Sequence, residues 1–414
     1  MGRLDLQREE NTELIEDEIP SGIHQPSCVG SDFIFMDRFS NGLVPDNQME
    51  IRIEMFCNPE RLPELRDAWM DLLADAVKPL LYLSWEWISR WWHYFGKRGE
   101  LCIMLAYDGD WLVGLLPLMV QKRKKFGIEW KILTMIAAEF EADHLDILVR
   151  RGYEEVVPER ILRSVLEDHP TVDLFFLSSL AEDSLCAQAA KKVHNGWIEE
   201  PGETCPYIGL EKAWEDYAIN GLDKRMVRKL RGAMQRVISD TGGTMRIWRV
   251  KNERERVRAM DALFAMHNEK WAARSEVSPF ASPESQAFHH EMSARLLKCG
   301  CLRMSVLSVG GVIAAVEYNI RCRDVTYSFQ KAYSSAWKVY DPGYLLTQFA
   351  IQQSIREGMT EFDLLRGDEE YKRYWATGVR RDLNYWLPAR PYGKVLWLLR
   401  SISRKARVSF HLNS

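Results

Sequence analysis

The spacing of apolar residues predicts short strands and helices from about residue 49 onward. The segment "MEIRIEMFCNPE", residues 49–60, is predicted to be a short strand with alternating apolar and polar side chains. The next segment is predicted to be a helix, with an apolar stripe formed by Leu65, Trp69, Leu72 and Leu73. A second helix is predicted between Ser84 and Gly96, and a hairpin is predicted around the turn at Asp108-Gly109. With the strands and the helix that follow, this half of the chain is predicted to form a mixed α/β layer.

The second half of the chain repeats this order of elements. A basic helix is predicted to end at Gly242-Gly243, and a strand and two further helices follow, the second with Ser282 as N-cap. A three-stranded meander with a turn at Gly310-Gly311 comes next. We expect Asp341 to cap the next helix, and we expect a strand over residues 359–367 after it.

These patterns predict an α/β (α+β) fold organised as two domains. Each domain is expected to be a mixed, mostly antiparallel sheet flanked by helices. The predicted division is a disordered acidic tail over 1–45, one domain over 46–205, a second domain carrying the site over 206–395, and a basic amphipathic helix or tail over 396–414. The last segment suits either docking on its domain, which we favour, or contact with a membrane surface.

Composition narrows the class of protein. The chain has 414 residues, 46% of them hydrophobic, and a net charge of −4, which argues against a protein that coats DNA by bulk electrostatics. The eight cysteines show no paired C-x-x-C spacing, so we expect reduced thiols and no metal. The N-terminus lacks an apolar signal segment, and the longest apolar run is too short to span a bilayer. We therefore expect a soluble protein of the cytoplasm, with no transmembrane segment.

The segment "EFDLLRGDEEYKRYWA", residues 361–376, places charges and aromatic residues where a predicted strand ends. An aspartate at position 363 of a central strand would be buried and would need a partner. Arg366, Lys372 and Arg373 are the nearest cations in sequence. One interpretation is a structural ion-pair cluster. The other, which we favour, is a clamp in which Arg366 and Lys372 bind an anionic group between walls formed by Tyr371 and Trp375.

Two further positions are candidates for the reaction itself. Glu317 shares a strand face with Asn319, and a buried carboxylate there would suit a general base, although an ion pair with an arginine is the simpler alternative. His267 shares a helix face with Trp271, either as a structural histidine or as part of an acceptor site. The basic helix "LDKRMVRKLRGAMQR" is either a solvated face or a contact for phosphate.

Four stretches carry a resemblance to a known superfamily. They are "PYIGLEKAWEDYAINGLDKRMVRKLRG", "LFAMHNEKWAARS", "VGGVIAAVEYNI" and "DPGYLLTQFAIQQSIREGMTEFDLLRGDEEYKRYWATG". They resemble the GNAT acyltransferases, and more closely the cellulose-biosynthesis (CelD-like) group, which shares a duplicated GNAT arrangement with the Fem-type aminoacyltransferases. The resemblance covers roughly residues 50–390, and its last stretch is the most specific. It implies two GNAT-like domains and transfer of an acyl group to an amine or a hydroxyl.

The resemblance also implies where a donor would bind. GNAT enzymes generally hold the donor pyrophosphate at a glycine-rich turn before a helix, and the matching stretch here is "AWKVYDPGYLL". Of that pattern only Gly343 is present, and we assign Lys338, Gly343 and Tyr344 to the donor. Asp341 would compete with a phosphate for the helix dipole, and Lys338 and Lys331 could offset its charge. The alternative is an ordinary capped helix start.

The sequence therefore predicts an acyltransferase that uses acetyl-CoA or another acyl-CoA. Its catalytic candidates are Glu317, Asp363 and Lys372. The acceptor is expected to be a sugar, an envelope or exopolysaccharide precursor, or a small molecule. Two alternatives stay open: a non-catalytic scaffold of the exopolysaccharide (cellulose-type) machinery, peripheral to the inner membrane, and a Fem-like transferase that takes its acyl group from aminoacyl-tRNA.

Overall fold

The computed structural model describes residues 50–78, 80–125, 127–138 and 142–398. The predicted acidic tail over 1–45 lies outside the described residues, and so does most of the predicted C-terminal segment over 396–414. The chain divides into two compact units. The described residues of the first are 50–78, 80–125, 127–138, 142–205, 366–368 and 379–398, and those of the second are 206–365 and 369–378. We call these unit A and unit B.

The described strands, in chain order, are β1 (Ile51–Phe56), β2 (Glu100–Asp108), β3 (Trp111–Lys125), β4 (Ile128–Met135), β5 (Leu148–Val149), β6 (Leu174–Ala181), β7 (Ile198–Gly209), β8 (Met245–Arg249), β9 (Ser305–Val309), β10 (Val312–Cys322), β11 (Val325–Tyr333), β12 (Glu361–Asp363) and β13 (Gly378–Pro388).

The described helices are α1 (Arg66–Ala74), α2 (Trp85–Phe95), α3 (Val157–Asp168), α4 (Leu185–Val193), α5 (Trp214–Asn220), α6 (Lys224–Thr241), α7 (Glu253–Ala272), α8 (Pro283–Lys298), α9 (Pro342–Arg356) and α10 (Glu370–Arg373). Within the described residues no helix is both long and apolar enough to cross a bilayer.

Local sequence signals explain several helix ends. The Ser84 hydroxyl accepts the backbone N–H of Trp87 at 3.3 Å, as predicted for the start of α2. Ser282 accepts the N–H of Ser285 in the same way at the start of α8. Gly242 ends α6 with a left-handed backbone, φ 59°, which glycine adopts without strain. The predicted caps of these three helices are therefore confirmed.

The sheet of unit A is mixed. Its strands follow the order β1-β2-β3-β4-β6-β13-β7, with β5 on the side of β3. Neighbours in this order are antiparallel where their register is described, except β4 and β6, which run parallel. Helix α3 packs on β1, β2 and β3. The helix stripe predicted from sequence is buried here: Trp69 and Leu72 are fully covered.

The sheet of unit B follows the order β7-β12-β11-β10-β9-β8, and residues 206–209 of β7 form its edge in this unit. The predicted meander β9-β10-β11 is antiparallel, whereas β11 and β12 run parallel. Helix α9 packs on β9, β10 and β11, and α7 packs on β10 and β11. Because adjacent residues of β11 contact α7 and α9 in turn, these two helices cover opposite faces of the sheet. The predicted α/β fold with mixed sheets flanked by helices is confirmed.

Two local predictions are wrong. The strand predicted over 359–367 ends at Asp363, because the Asp363 Oδ1 accepts the N–H of Leu365 at 2.7 Å and turns the chain. Leu365 then has a left-handed backbone, φ 57°. Asp341 precedes α9 but its side chain does not cap the helix. Its carboxylate is instead bound by Lys229 Nζ at 3.3 Å and by Arg236 Nη2 at 3.2 Å.

Candidate active site

The sheet of unit B opens between β11 and β12. The two strands pair over three residues, from Val325 opposite Glu361 to Tyr327 opposite Asp363. Beyond that point β11 continues for six residues to Tyr333, whereas β12 has ended at the turn made by Asp363. The backbone groups on that edge of β11 therefore face the opening, whereas those on the other edge pair with β10.

A β-bulge determines which side chains meet beside this opening. On the turn side of the bulge, Asn319 pairs with Ser328, and on the other side Tyr318 pairs with Gln330. The extra residue on β11 is therefore Phe329, and it shifts the register of every later pair by one. As a result, Lys331 lies opposite Glu317 on the sheet face that α9 covers.

Glu317, Thr347 and Lys331 form a buried polar cluster. The Lys331 Nζ donates to the Thr347 hydroxyl at 2.6 Å, and that hydroxyl lies 3.3 Å from Glu317 Oε2. The Ser328 hydroxyl donates to Glu317 Oε1 at 3.3 Å. Glu317 and Thr347 are fully buried, and Lys331 is half-buried. The cluster joins a carboxylate and an ammonium through one hydroxyl.

In this cluster, burial and the neighbouring opposite charge shift the pKa of each group in opposite directions. Burial raises the pKa of Glu317, and the positive charge of Lys331 opposes that rise. Burial lowers the pKa of Lys331, and Glu317 opposes that fall, while Lys372 and Lys270 add to it. Burial therefore shifts both pKa values toward neutral pH. Groups that exchange protons in catalysis work best when their pKa lies near the working pH.

Helix α10 places Tyr371 over the cluster. The Lys331 Nζ lies 4.4 Å from the centre of the Tyr371 ring. Burial raises the pKa of the Tyr371 hydroxyl, and the charge of Glu369 adds to the rise. The buried Lys372 donates to the Leu365 carbonyl at 3.3 Å and pairs with Glu369 at 3.1 Å. In this arrangement Lys372 fixes the turn after β12.

The start of α9 lies directly beside the cluster. A methyl group added to Gly343 would lie 3.8 Å from Lys331 Cδ, so no bulky side chain separates them. The next residue, Tyr344, lies under Lys229, whose Nζ is 3.8 Å from the ring centre. Lys229 and Arg236 of α6 thus bring two cations to the N-terminal end of α9, where Asp341 binds them. Lys338 is exposed in the short turn before the helix.

His267 and Trp271 lie on the other face of the sheet. The indole N–H of Trp271 donates to His267 Nε2 at 3.2 Å, and His267 Nδ1 lies 2.8 Å from the Ser278 hydroxyl. Burial lowers the pKa of His267 to about 4, and Lys270 contributes to this fall. His267 is therefore a neutral histidine held by internal hydrogen bonds. The structure does not bring it together with Glu317.

The residues of the predicted clamp, 366–375, make contacts of several kinds within their own units. Arg366 belongs to unit A, where it forms an ion pair with Asp143 and donates to the Ala142 carbonyl at 2.8 Å. Trp375 belongs to unit B and is fully buried in a core cluster with Phe362. It packs in the core and forms no wall of an exposed clamp. Of the predicted clamp, Tyr371 is the residue that contacts the polar cluster.

Sequence reasoning missed the roles of Lys331, Thr347 and Ser328. Counting residues outward from the turn at residues 323–324 would place Gln330 opposite Glu317. The bulge at Phe329 puts Lys331 there instead. The sequence contains one indication for Thr347. It lies four residues after Gly343, so the two residues share a face of α9.

Residues 224–373, from the start of α6 to the end of α10, match the family profile of the acetyltransferase (GNAT) domain. The matched residues contain the whole Glu317–Thr347–Lys331 cluster and the start of α9. This part of the chain is therefore similar to a GNAT domain. The finer resemblance to the CelD-like group stays a prediction. No curated protein matches the sequence.

Solved structures show the same fold over most of the chain. FemX is 9% identical, with a TM-score of 0.55, over 83% of this chain and 99% of that one. The C-terminal domain of a putative lysylphosphatidylglycerol synthetase from Agrobacterium fabrum is 11% identical, with a TM-score of 0.50, over 82% of this chain and 96% of that one. A conserved protein of unknown function from Bacteroides thetaiotaomicron is 10% identical, with a TM-score of 0.50, over 82% and 100%. The fold shared with these structures thus extends beyond the matched region.

Proposed function

We propose that the protein is an acyltransferase that takes an acyl group from acyl-CoA and moves it to an amine or a hydroxyl. The observation that carries the proposal is the buried Glu317–Thr347–Lys331 cluster beside the opening between β11 and β12. GNAT folds generally bind acyl-CoA, and residues 224–373 match that domain. Acetyl is the acyl group that the name of the domain favours.

The start of α9 is the proposed site for the phosphates of the donor. The backbone N–H groups of the first helical turn carry partial positive charge and suit an anion. Lys229 and Arg236 add two full charges at the same place. Asp341 now binds both cations, so a donor phosphate would have to displace its carboxylate from them.

The opening beside β11 is the proposed place for the acyl arm and the thioester. Backbone N–H groups along this edge can hydrogen-bond an extended arm and the thioester carbonyl. Lys331, at the same end of the strand, supplies a positive charge that stabilises the negative charge formed as the acceptor attacks. Gly343, at the start of α9, lies close to Lys331 and to the Tyr333 ring.

Glu317 is the proposed general base. Its raised pKa allows it to take a proton from an acceptor amine or hydroxyl near neutral pH. The proton would pass through the Thr347 hydroxyl, which contacts both Glu317 and Lys331. Asp363 and Lys372 act on the turn after β12, so we propose positioning roles for these two residues.

Thermal unfolding in the presence of candidate donors tests this proposal. A ligand that binds the native state at about 100 times its Kd stabilises it by roughly 2.7 kcal/mol. We expect acetyl-CoA to raise the Tm of the wild-type protein and of a Lys224→Met control, which removes another cation of α6. Lys229→Met should weaken the effect, because it removes one of the two cations at the start of α9.

The position of Asp341 favours a second candidate, a GNAT-fold protein that has lost acyl-CoA binding and acts as a scaffold. A carboxylate already occupies the two cations that would hold a phosphate. If neither acetyl-CoA, a longer acyl-CoA nor an aminoacyl-tRNA changes the Tm, the acyltransferase proposal fails and the scaffold is favoured. Stabilisation by aminoacyl-tRNA alone would instead identify the Fem-like donor. A saccharide or envelope precursor stays the proposed acceptor, and an exopolysaccharide machine the proposed partner.

A further inference from the structure

Three buried side chains of unit A converge at one point that acyl transfer does not use. They are His144, Cys205 and Asp382, and one potential ligand atom from each lies within 4.8 Å of the other two. Their exposed fractions are 8%, 0% and 2%. All three are of the residue types that bind transition metals.

The fold brings these three side chains together from distant parts of the chain. His144 lies between β4 and β5, Cys205 lies in β7, and Asp382 lies in β13, the strand beside β7. The His144 Nδ1 lies 3.0 Å from Asp382 Oδ1. The backbones of β7 and β13 approach closely here, since a methyl group on Gly202 would lie 2.7 Å from the Asp382 carbonyl oxygen. Two of the three donors, Cys205 and Asp382, therefore lie in strands of the sheet.

The chemical types of the three ligand atoms favour zinc over other metal ions. Zinc binds thiolate, imidazole and carboxylate at about 2.0–2.3 Å, so two ligands of a tetrahedral ion lie roughly 3.3–3.7 Å apart. The spacing of at most 4.8 Å needs only a small closure to reach this geometry. Magnesium and calcium prefer oxygen ligands, and one carboxylate with a thiol and an imidazole suits neither.

A catalytic role for the thiol is a poorer explanation. Cysteine, histidine and aspartate also form nucleophilic triads. A nucleophile must reach its substrate, however, and Cys205 is fully buried. A metal ion bound during folding needs no such access.

We propose that unit A binds one Zn²⁺ ion through His144, Cys205 and Asp382. The thiol loses its proton to solvent as the Zn–S bond forms, and a water molecule completes the tetrahedron. The ion joins β7 and β13 to the segment between β4 and β5, and it stabilises the folded state of this unit. The sequence alone does not reveal these ligands, because they show no motif spacing: His144 and Asp382 are 238 residues apart.

A titration of the full chain tests the site. The protein is unfolded and stripped with a chelator under reducing conditions, and it is then refolded with Zn²⁺ alone or with Co²⁺ alone in place of the chelator. We expect one equivalent of Zn²⁺ to bind and to raise the Tm. One equivalent of Co²⁺ should give the strong visible bands of a tetrahedral ion and a thiolate-to-cobalt band in the near ultraviolet.

Matched cysteine variants assign the ligand. Cys205→Ala should remove the thiolate band and weaken metal binding by more than about 100-fold, since loss of an outer-shell partner alone costs about 10–100-fold. Cys186→Ala is the control, because Cys186 is also fully buried in unit A and lies outside the cluster. It should bind metal as the wild type does.

Three results would overturn the proposal. The first is a folded wild-type protein that neither binds one equivalent of metal nor shows the thiolate-to-cobalt band. The second is an equal loss in Cys205→Ala and Cys186→Ala. The third is a thiolate band that persists in Cys205→Ala. If that variant does not fold, the wild-type titration and Asp382→Asn, which should weaken binding, decide the question.

Discussion

The contacts of the Glu317–Lys331 pair predict how the free energy of unfolding changes when Lys331 is replaced. Lys331→Met removes the ammonium and keeps most of the apolar volume. It removes a hydrogen bond to Thr347 from a charged donor, which contributes about 1.5–3 kcal/mol. It also removes the positive charge that opposes the burial-induced rise in the pKa of Glu317. Glu317 is then a fully buried carboxylate without its cross-strand partner.

Protonation of Glu317 limits the cost of this change. The pKa of an unfolded glutamate is about 4.3, and each pH unit corresponds to about 1.4 kcal/mol. At about pH 7.3 the charge-related penalty therefore cannot exceed roughly 4 kcal/mol, because the folded protein can keep Glu317 neutral. A raised folded pKa stabilises the folded state fully below the unfolded pKa, and this stabilisation is lost as the pH rises through the folded pKa. Lys331→Met should thus be most destabilising at alkaline pH and much less so near pH 5.

Urea unfolding of four proteins measures this effect: the wild type, Lys331→Met, Glu317→Gln and the double variant. The double variant should be more stable than the sum of the single changes predicts, with a coupling energy of about 0.5–3 kcal/mol. Arg61 and Glu64, both more than half exposed, form a control pair whose changes should add. Additive effects for Glu317 and Lys331, or a cost that does not vary with pH, would show that the two charges are not coupled in this way.

Three further predictions concern single residues. Burial lowers the pKa of His267 to about 4, so the folded state should lose stability as the pH falls from about 6.5 toward 4, and urea unfolding of His267→Gln should show a shallower loss. Asp363→Ala removes the acceptor of the Leu365 N–H and should cost about 1–3 kcal/mol in unfolding free energy, whereas Asp363→Asn, which keeps an accepting oxygen, should cost less. Asp341→Asn frees two cations at the start of α9, and calorimetric titration should show acetyl-CoA binding tightened by roughly two- to fivefold, the equivalent of about 0.4–1 kcal/mol. Equal slopes for His267→Gln and the wild type, equal costs for the two Asp363 variants, or unchanged affinity in Asp341→Asn would each contradict the corresponding prediction.

Local signals were sufficient for the fold class and for several element boundaries. The N-caps Ser84 and Ser282 and the glycine pair after α6 depend on interactions within a few residues, so sequence alone predicts them. The meander β9-β10-β11 follows from its two turns in the same way. The predicted domain boundaries and the assigned site residues stay predictions.

The candidate site depended on features that a sequence pattern does not contain. The β-bulge at Phe329 shifts the register and exchanges Gln330 for Lys331 opposite Glu317. The hydrogen bond from Leu365 to Asp363 ends β12 where alternation predicted that it would continue. Both are local backbone irregularities at the opening of the sheet, and irregularities of this kind concentrate near functional sites.

Hydrogen–deuterium exchange with and without acetyl-CoA locates the bound donor. The proposed donor site consists of the opening between β11 and β12 and the start of α9. On addition of acetyl-CoA, amide exchange should therefore slow in peptides covering residues 327–333 and 342–347 and stay unchanged in β8 and β9. Protection confined to other segments, or binding of acetyl-CoA without protection of these two, would contradict the proposed site.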